Sequence, residues 1–192
     1  MGTSKQLLRL GNKSVIRHCV DTLAAAGIRD IIVVTGAWHD ACVKELQGSS
    51  ATIVRNMAEN SEMADSVRIG LRTLDSSCTG ALVCLVDHPL VTVSTYRALL
   101  NAHERAPEKI IIPAFNHRRG HPGLFPLPVV SEIVAVNSLR DIVRKDDGRV
   151  RIIDVSDEGV VLDMDTKEEY QAILARYGER AERASAGEHN VQ

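Results

Sequence analysis

Apolar runs of strand length alternate along this chain with segments of helical period, and that alternation limits the fold more than any other feature. Ile31–Thr35 is a β-branched run, Thr52–Val54 a shorter one, and Ala81–Val86 the most continuous; Lys109–Pro113 and Arg151–Val155 follow. Between them, Ser14–Ala26 places Val15, Ile16, Cys19, Val20 and Leu23 on one helical face, and Gly27 stands where a helix end favours a left-handed residue. Asp40–Leu46, Ser61–Leu74 and Thr92–His103 also read as helices. Strands parted by helices predict βαβ units: a mostly parallel sheet with helices on both faces, an α/β fold. The alternation breaks at Phe115–Leu127, whose glycines and prolines predict a loop or irregular hairpin. Val129–Val136 and Ser138–Arg144 read as helical pieces and Val160–Leu162 as a short strand. A last helix spans Asp165–Tyr177, capped by Asp165 or Thr166 with Glu168 and Glu169 at its positive end. The 192 residues suit one domain, placed at 1–178, with a polar tail over 179–192.

Composition narrows the class. Aromatic residues are 3% against 44% hydrophobic, so the core must be aliphatic. Lys+Arg of 23 against Asp+Glu of 25 gives a net charge of −2, which argues against general nucleic-acid binding. The longest apolar stretches, Ile31–Val34 and Ala81–Val86, are too short to cross a bilayer, and no signal peptide is visible; a cytoplasmic protein is expected. Cys19, Cys42, Cys78 and Cys84 lack CxxC spacing and read as reduced thiols. His39 with Cys42 is a poor metal pair, and His18 reads as structural.

In parallel α/β sheets ligands bind at the carboxyl ends of the strands. The polar residues just after the strand runs are therefore the candidates. Asp87-His88-Pro89 ends the most apolar strand; Asp87 suits a divalent cation there, and a turn or capping role is the alternative. Asp163 and Asp165 follow the Val160–Leu162 run. Magnesium takes one or two carboxylates together with substrate phosphates, so two acidic strand ends suit a nucleotide–magnesium site; Asp165 also reads as a helix cap. Gly2 and Lys5 could set backbone N–H groups and an ammonium against phosphates. Asn56 and Ser66 are small polar groups able to read a base or ribose. Arg118 and Arg119, beside Gly120 and His121, suit an anionic substrate group or a solvated loop.

Taken in order, these segments resemble the MobA-like NTP transferases, the family of the molybdenum cofactor cytidylyl- and guanylyltransferases. Met1-Gly2-x-x-Lys5-x-Leu7-Leu8 resembles the end of the family's LAAGxSxRMGxxKxLL signature. Ala26-Gly27-Ile28, Val33–Gly36, Asn56 and Met63–Leu71 continue the match. Val86–Val91 resembles the D-x-P metal motif, Gly120-His121-Pro122 follows, and Leu162–Thr166 resembles the D-x-D-T-P-E-D-Y segment. The resemblance implies a Rossmann-like three-layer nucleotidyltransferase fold and transfer of CMP from CTP to a molybdopterin-type cofactor, with release of pyrophosphate. The Gly-His-Pro form suggests CTP over GTP. In those roles Asp87, Asp163 and Asp165 would hold Mg2+, and Lys5 and Asp87 would be catalytic. Gly2, Lys5, Asn56 and Ser66 would bind nucleotide, and Arg119, Gly120 and His121 the acceptor. A client molybdoenzyme is an expected partner. Other readings are a guanylyl or other NTP transferase with a different phosphate acceptor, and a non-catalytic molybdopterin-binding maturation factor.

Three departures stand out. The sequence starts inside the signature, so the family's first strand and its phosphate loop are expected to be missing from between the strands that end at Gly36 and Asp87. Glu62 stands where the family has Gly, and Lys167 where it has Pro.

Overall fold

The protein's structure, a computed structural model, describes residues 4–188; Gly2 lies outside them. After a 3-10 turn at Lys5–Leu7, a short hairpin pairs β1 (Arg9–Leu10) with β2 (Lys13–Ser14) around Gly11. α1 (Val15–Ala25) begins where the Ser14 hydroxyl accepts from the Arg17 N–H and buries Val15, Ile16, Val20 and Leu23. Gly27, at φ +97°, ends it as the sequence predicts. β3 (Ile32–Thr35), α2 (His39–Glu45), β4 (Thr52–Arg55), α3 (Met63–Thr73), β5 (Gly80–Val83), α4 (Val93–Arg105) and β6 (Ile110–Phe115) complete the alternating half.

The irregular segment resolves into β7 (Arg118–Arg119), paired with the end of β6, and β8 (Gly123–Pro126), which runs antiparallel between β5 and β6. α5 (Leu127–Val130), a 3-10 turn at Ser131–Val134 and α6 (Leu139–Arg144) lead to β9 (Val150–Asp154), parallel to β6. The run expected as a strand at Val160–Leu162 is instead mostly a 3-10 turn, Glu158–Val161. Asp157 Oδ1 accepts the Gly159 N–H at 3.0 Å and winds the chain there. α7 (Lys167–Glu188) continues past the expected helix end at Tyr177.

Three layers result. On one sheet face α1 and α4 bury Ile16, Val20, Leu23 and Tyr96 against Val33, Leu82 and Cys84. On the other, α3 and the α5–α6 region bury Ala64, Ile133 and Ile142 against Ile110, Ile112 and Phe125. Each fully buried aliphatic side chain is worth about 1.5–3 kcal/mol, and the core is aliphatic as composition requires. A third cluster, with Leu10, Val15, Leu90, Met164 and Ile173, fastens α7 over the carboxyl end.

The middle layer is not one sheet. β3 pairs with β4, and β5-β8-β6-β9 form a separate sheet with β7 at its rim. No strand among the described residues joins β3 to β5.

Candidate functional site

Two close backbone approaches build the site. A Cβ on Gly159 would stand 2.4 Å from the Leu90 carbonyl oxygen, so only glycine lets the 158–161 turn lie against the loop after β5. A Cβ on Gly120 would stand 2.2 Å from the Val160 carbonyl oxygen, and the His121 N–H donates to that same oxygen at 2.7 Å. The turn thus holds the Asp87–Leu90 loop on one side and His121 on the other.

His88 is buried, and its ring lies 4.9 Å from that of His121, centroid to centroid, tilted by 41°. Asp87 Oδ1 and His88 Nδ1 are buried and meet no hydrogen-bond partner among the described residues. Burial lowers the His121 pKa, His88 and Arg140 add to the lowering, and the carboxylates of Asp87 and Asp163 oppose it. Asp87, His88, His121, Asp163 and Arg140 thus share one electrostatic neighbourhood, with a neutral His121 at its centre. Beneath it, burial and then the Asp87 charge push the Cys19 thiol up to about 12, so this sulfur is inert packing. All four cysteines are free.

Asn56 and Ser66 also come together. Asn56 is buried at the end of β4; its N–H donates to the Thr35 carbonyl at 2.7 Å and its amide to Ser66 Oγ at 3.4 Å. Glu62 is exposed at the start of α3, its N–H donating to Asp65 Oδ2. Lys5 and Asp165 pair with each other. The cap of α7 is Thr166: its hydroxyl accepts from the Glu169 N–H, while Glu169 accepts from the N–H groups of Asp165 and Thr166. Arg119 lies exposed on β7, and the Gly120 N–H next to it donates to the Pro113 carbonyl.

The donor set fits a divalent cation that keeps phosphate ligands. Among the described residues no three His, Cys, Asp or Glu side chains form a ready cage. The orphaned buried oxygen of Asp87 is what a cation would satisfy, and Asp163 is the second carboxylate whose charge reaches His121. Asp165 is engaged with Lys5 instead. Reading the sequence did not single out His88 and Arg140. His88 sits inside the Asp-His-Pro motif and was legible there; Arg140, on α6, carries no local signal.

No helix among the described residues is long and apolar enough to cross a membrane. The chain is 29% identical over 182 residues to nicotine blue oxidoreductase of Paenarthrobacter nicotinovorans, covering 88% of this chain and 87% of that one. The crystal structure of a homologue of a Mycobacterium tuberculosis protein, from Mycobacterium sp. strain JC1, superposes with a TM-score of 0.77 at 26% identity, covering 93% of this chain and 90% of that one. A nucleotidyl transferase from Methanothermobacter superposes at 0.81 with 20% identity, covering 93% of this chain and 87% of that one. The profile of the MobA-like NTP transferase domain matches residues 1–153, from the Lys5 segment through the Asp87 loop and Gly120-His121 to β9. With the three layers and the acidic strand end both in place, the chain belongs to the MobA-like NTP transferase family.

Proposed function

We propose that the protein acts in the cytoplasm to transfer CMP from CTP to a phosphate of a molybdopterin-type cofactor, releasing pyrophosphate. The observation that carries this reading is the buried, unpartnered Asp87 oxygen at the carboxyl end of β5, beside His88 and His121. An acceptor phosphate oxygen attacks the α-phosphorus of CTP; that P–O bond forms as the bond to pyrophosphate breaks. The attacking oxygen is already anionic, so the step calls for positioning and charge neutralisation and for no strong base. Asp87 and Asp163 would hold Mg2+, which when bound neutralises charge on the phosphates. His121, kept neutral by burial, offers its ring nitrogens to the acceptor, and Arg140 adds a cation beside it. In this reading Asn56 and Ser66 bind the nucleotide, Gly2 and Lys5 its phosphates, and Arg119 and Gly120 the acceptor.

Pyrophosphate release measured with magnesium, molybdopterin and either CTP or GTP tests this. CTP should give the higher kcat/KM. Equal or better turnover with GTP moves the protein to the guanylyl branch, and molybdopterin binding without pyrophosphate release makes it a maturation factor for a client molybdoenzyme. A second reading, an oxidoreductase, is favoured by the likeness to nicotine blue oxidoreductase over most of both chains. Reduction of nicotine blue by an added two-electron donor such as a reduced nicotinamide, accelerated by the protein, in place of pyrophosphate release would establish it.

A further inference from the structure

The loop that carries Asp87 is held by an element far from it in the chain. Leu90, three residues on, is buried together with Pro89 and Val91. A backbone carbonyl in that setting needs a partner. Arg180 of α7 supplies it, Nη1 donating to the Leu90 carbonyl at 2.6 Å. The same guanidinium donates through Nη2 to Asp157 Oδ1 at 3.2 Å. Asp157 opens the 158–161 turn, and its Oδ1 also takes the Gly159 N–H. One side chain therefore bridges the loop and the turn. On the turn's far side the Val160 carbonyl accepts from the His121 N–H at 2.7 Å. The spacing of Asp87 and His88 from His121 thus runs through the two prongs of Arg180.

Two more side chains of α7 reach the same loop. Ile173, Tyr177 and Arg180 stand at i, i+4 and i+7, on one helical face. Ile173 packs in one cluster with Leu90. The Tyr177 ring stands edge-on to that of His18, 5.5 Å between centroids, and the His18 ring meets the Pro89 backbone. Ile173 and Tyr177 supply packing. Arg180 does what packing cannot: its planar fork holds two acceptors on different segments at a fixed separation. Its side chain is 33% exposed against 6% for Asp157, so it can be replaced without opening the core. We propose that Arg180 is a positioning residue for the site: it locks the Asp87–Leu90 loop onto the 158–161 turn and so fixes where the Asp87 carboxylate meets a divalent cation. This rests on the reading of Asp87 as a cation ligand, and Mn2+ alone, without nucleotide or acceptor, is the probe that keeps the two apart.

Groups that orient a metal ligand from behind are worth about 10–100-fold in metal affinity. In water-proton relaxation titrations of the full chain, Arg180→Met should raise the Kd for Mn2+ about tenfold or more, while Tm falls by less than about 6 °C. The direction of the change is diagnostic. Removing a positive charge by itself favours a bound cation, so weaker binding reports lost positioning and not lost charge. Arg180→Lys keeps the charge but only one prong and should bind Mn2+ with intermediate affinity. Arg183→Met, which removes a charge from an exposed position on the same helix, should bind Mn2+ as the parent does. In the pyrophosphate assay Arg180→Met should need about tenfold more Mg2+ for half-maximal rate, with the KM for CTP at saturating Mg2+ unchanged. Parent-like Mn2+ affinity in Arg180→Met overturns the proposal, and equal losses in Arg180→Met and Arg183→Met overturn it as a helix-wide effect. Should Arg180→Met fail to fold, parent-like affinity in Arg180→Lys overturns it. No Mn2+ binding by the parent, or binding that survives Asp87→Asn, defeats the cation-ligand reading and the proposal with it. A parent that binds Mn2+ through Asp87 yet releases no pyrophosphate defeats the transferase reading alone, and the Kd comparison still decides the role of Arg180.

Discussion

Asp87 holds one carboxylate oxygen in a buried position where no donor among the described residues meets it. A buried acceptor left that way does not stabilise the fold, and a ligand at the strand end is what would satisfy it. Asp87→Asn should reduce metal-dependent pyrophosphate release by about 100-fold or more. It should also abolish the heat of Mg2+–CTP binding in calorimetry, while Tm moves by no more than about 2 °C. Full activity in the variant removes Asp87 from the site. A second buried ring shows how pH reaches the fold. Burial lowers the His103 pKa and Glu104 opposes the shift; Nδ1 has no hydrogen-bond partner among the described residues and Nε2 lies 3.3 Å from Thr79 Oγ1. As pH falls, the unfolded chain takes up this proton first, near the ordinary value of 6.5, so stability declines from there downward. His18 shifts in the same direction. In urea titrations from pH 7.5 to 5.5, His103→Gln should therefore lose less stability than the parent chain; an identical slope rejects the assignment.

At the level of elements, Asp157 ties three of them together. Oδ2 accepts from the Thr92 N–H at 2.8 Å, the Thr92 hydroxyl at 2.9 Å and the Thr95 hydroxyl at 2.8 Å, all at the start of α4. Oδ1 accepts from the Gly159 N–H and from Arg180 of α7, whose other nitrogen donates to the Leu90 carbonyl at 2.6 Å. The carboxylate is buried and fully used, so removing it strands several donors. Asp157→Ala should cost about 3 kcal/mol, a drop in Tm of roughly 6–12 °C by calorimetry. Arg180→Ala should cost less, because its side chain is partly exposed. A shift under about 2 °C for Asp157→Ala would show that the network carries little stability. This clasp explains why α7 runs past Tyr177: the polar stretch from Glu179 reads as a tail, yet Arg180 within it is anchored on residues ninety and twenty-three positions away.

Across the whole molecule, the helices cover two sheets, β3–β4 and the five-stranded one, apart from the small β1–β2 hairpin. Among the described residues β3 and β4 pair only with each other, whereas β6 has neighbours on both edges. Sub-global opening should follow that division. In native-state hydrogen exchange at low denaturant, Ile32–Thr35 and Thr52–Arg55 should exchange at least about tenfold faster than Ile110–Ile112. A single common opening free energy for both groups would mean that the helices couple the sheets fully.

What the sequence by itself determined is the order and type of most elements, the aliphatic core, and the candidate carboxylate at the end of β5. Each rests on local periodicity, which a strand or helix expresses wherever it is placed: Ile32–Thr35 forms a strand, half-buried where a fully buried one was expected, and Val15–Ala25 an amphipathic helix. Asn56 and Ser66, and Asp87 and His121, were candidates by their place after the strands and in the resemblance; that Asn56 bonds Ser66 and that Asp87 acts on His121 are tertiary facts. The tertiary structure alone decided the rest. Val160 reads as strand by composition, but the Asp157 carboxylate winds it into a turn. Lys5 and Asp165, 160 positions apart, neutralise each other, a pairing no spacing reveals. His88 gained its place from a ring contact across two loops, and Arg140 from the packing of α6.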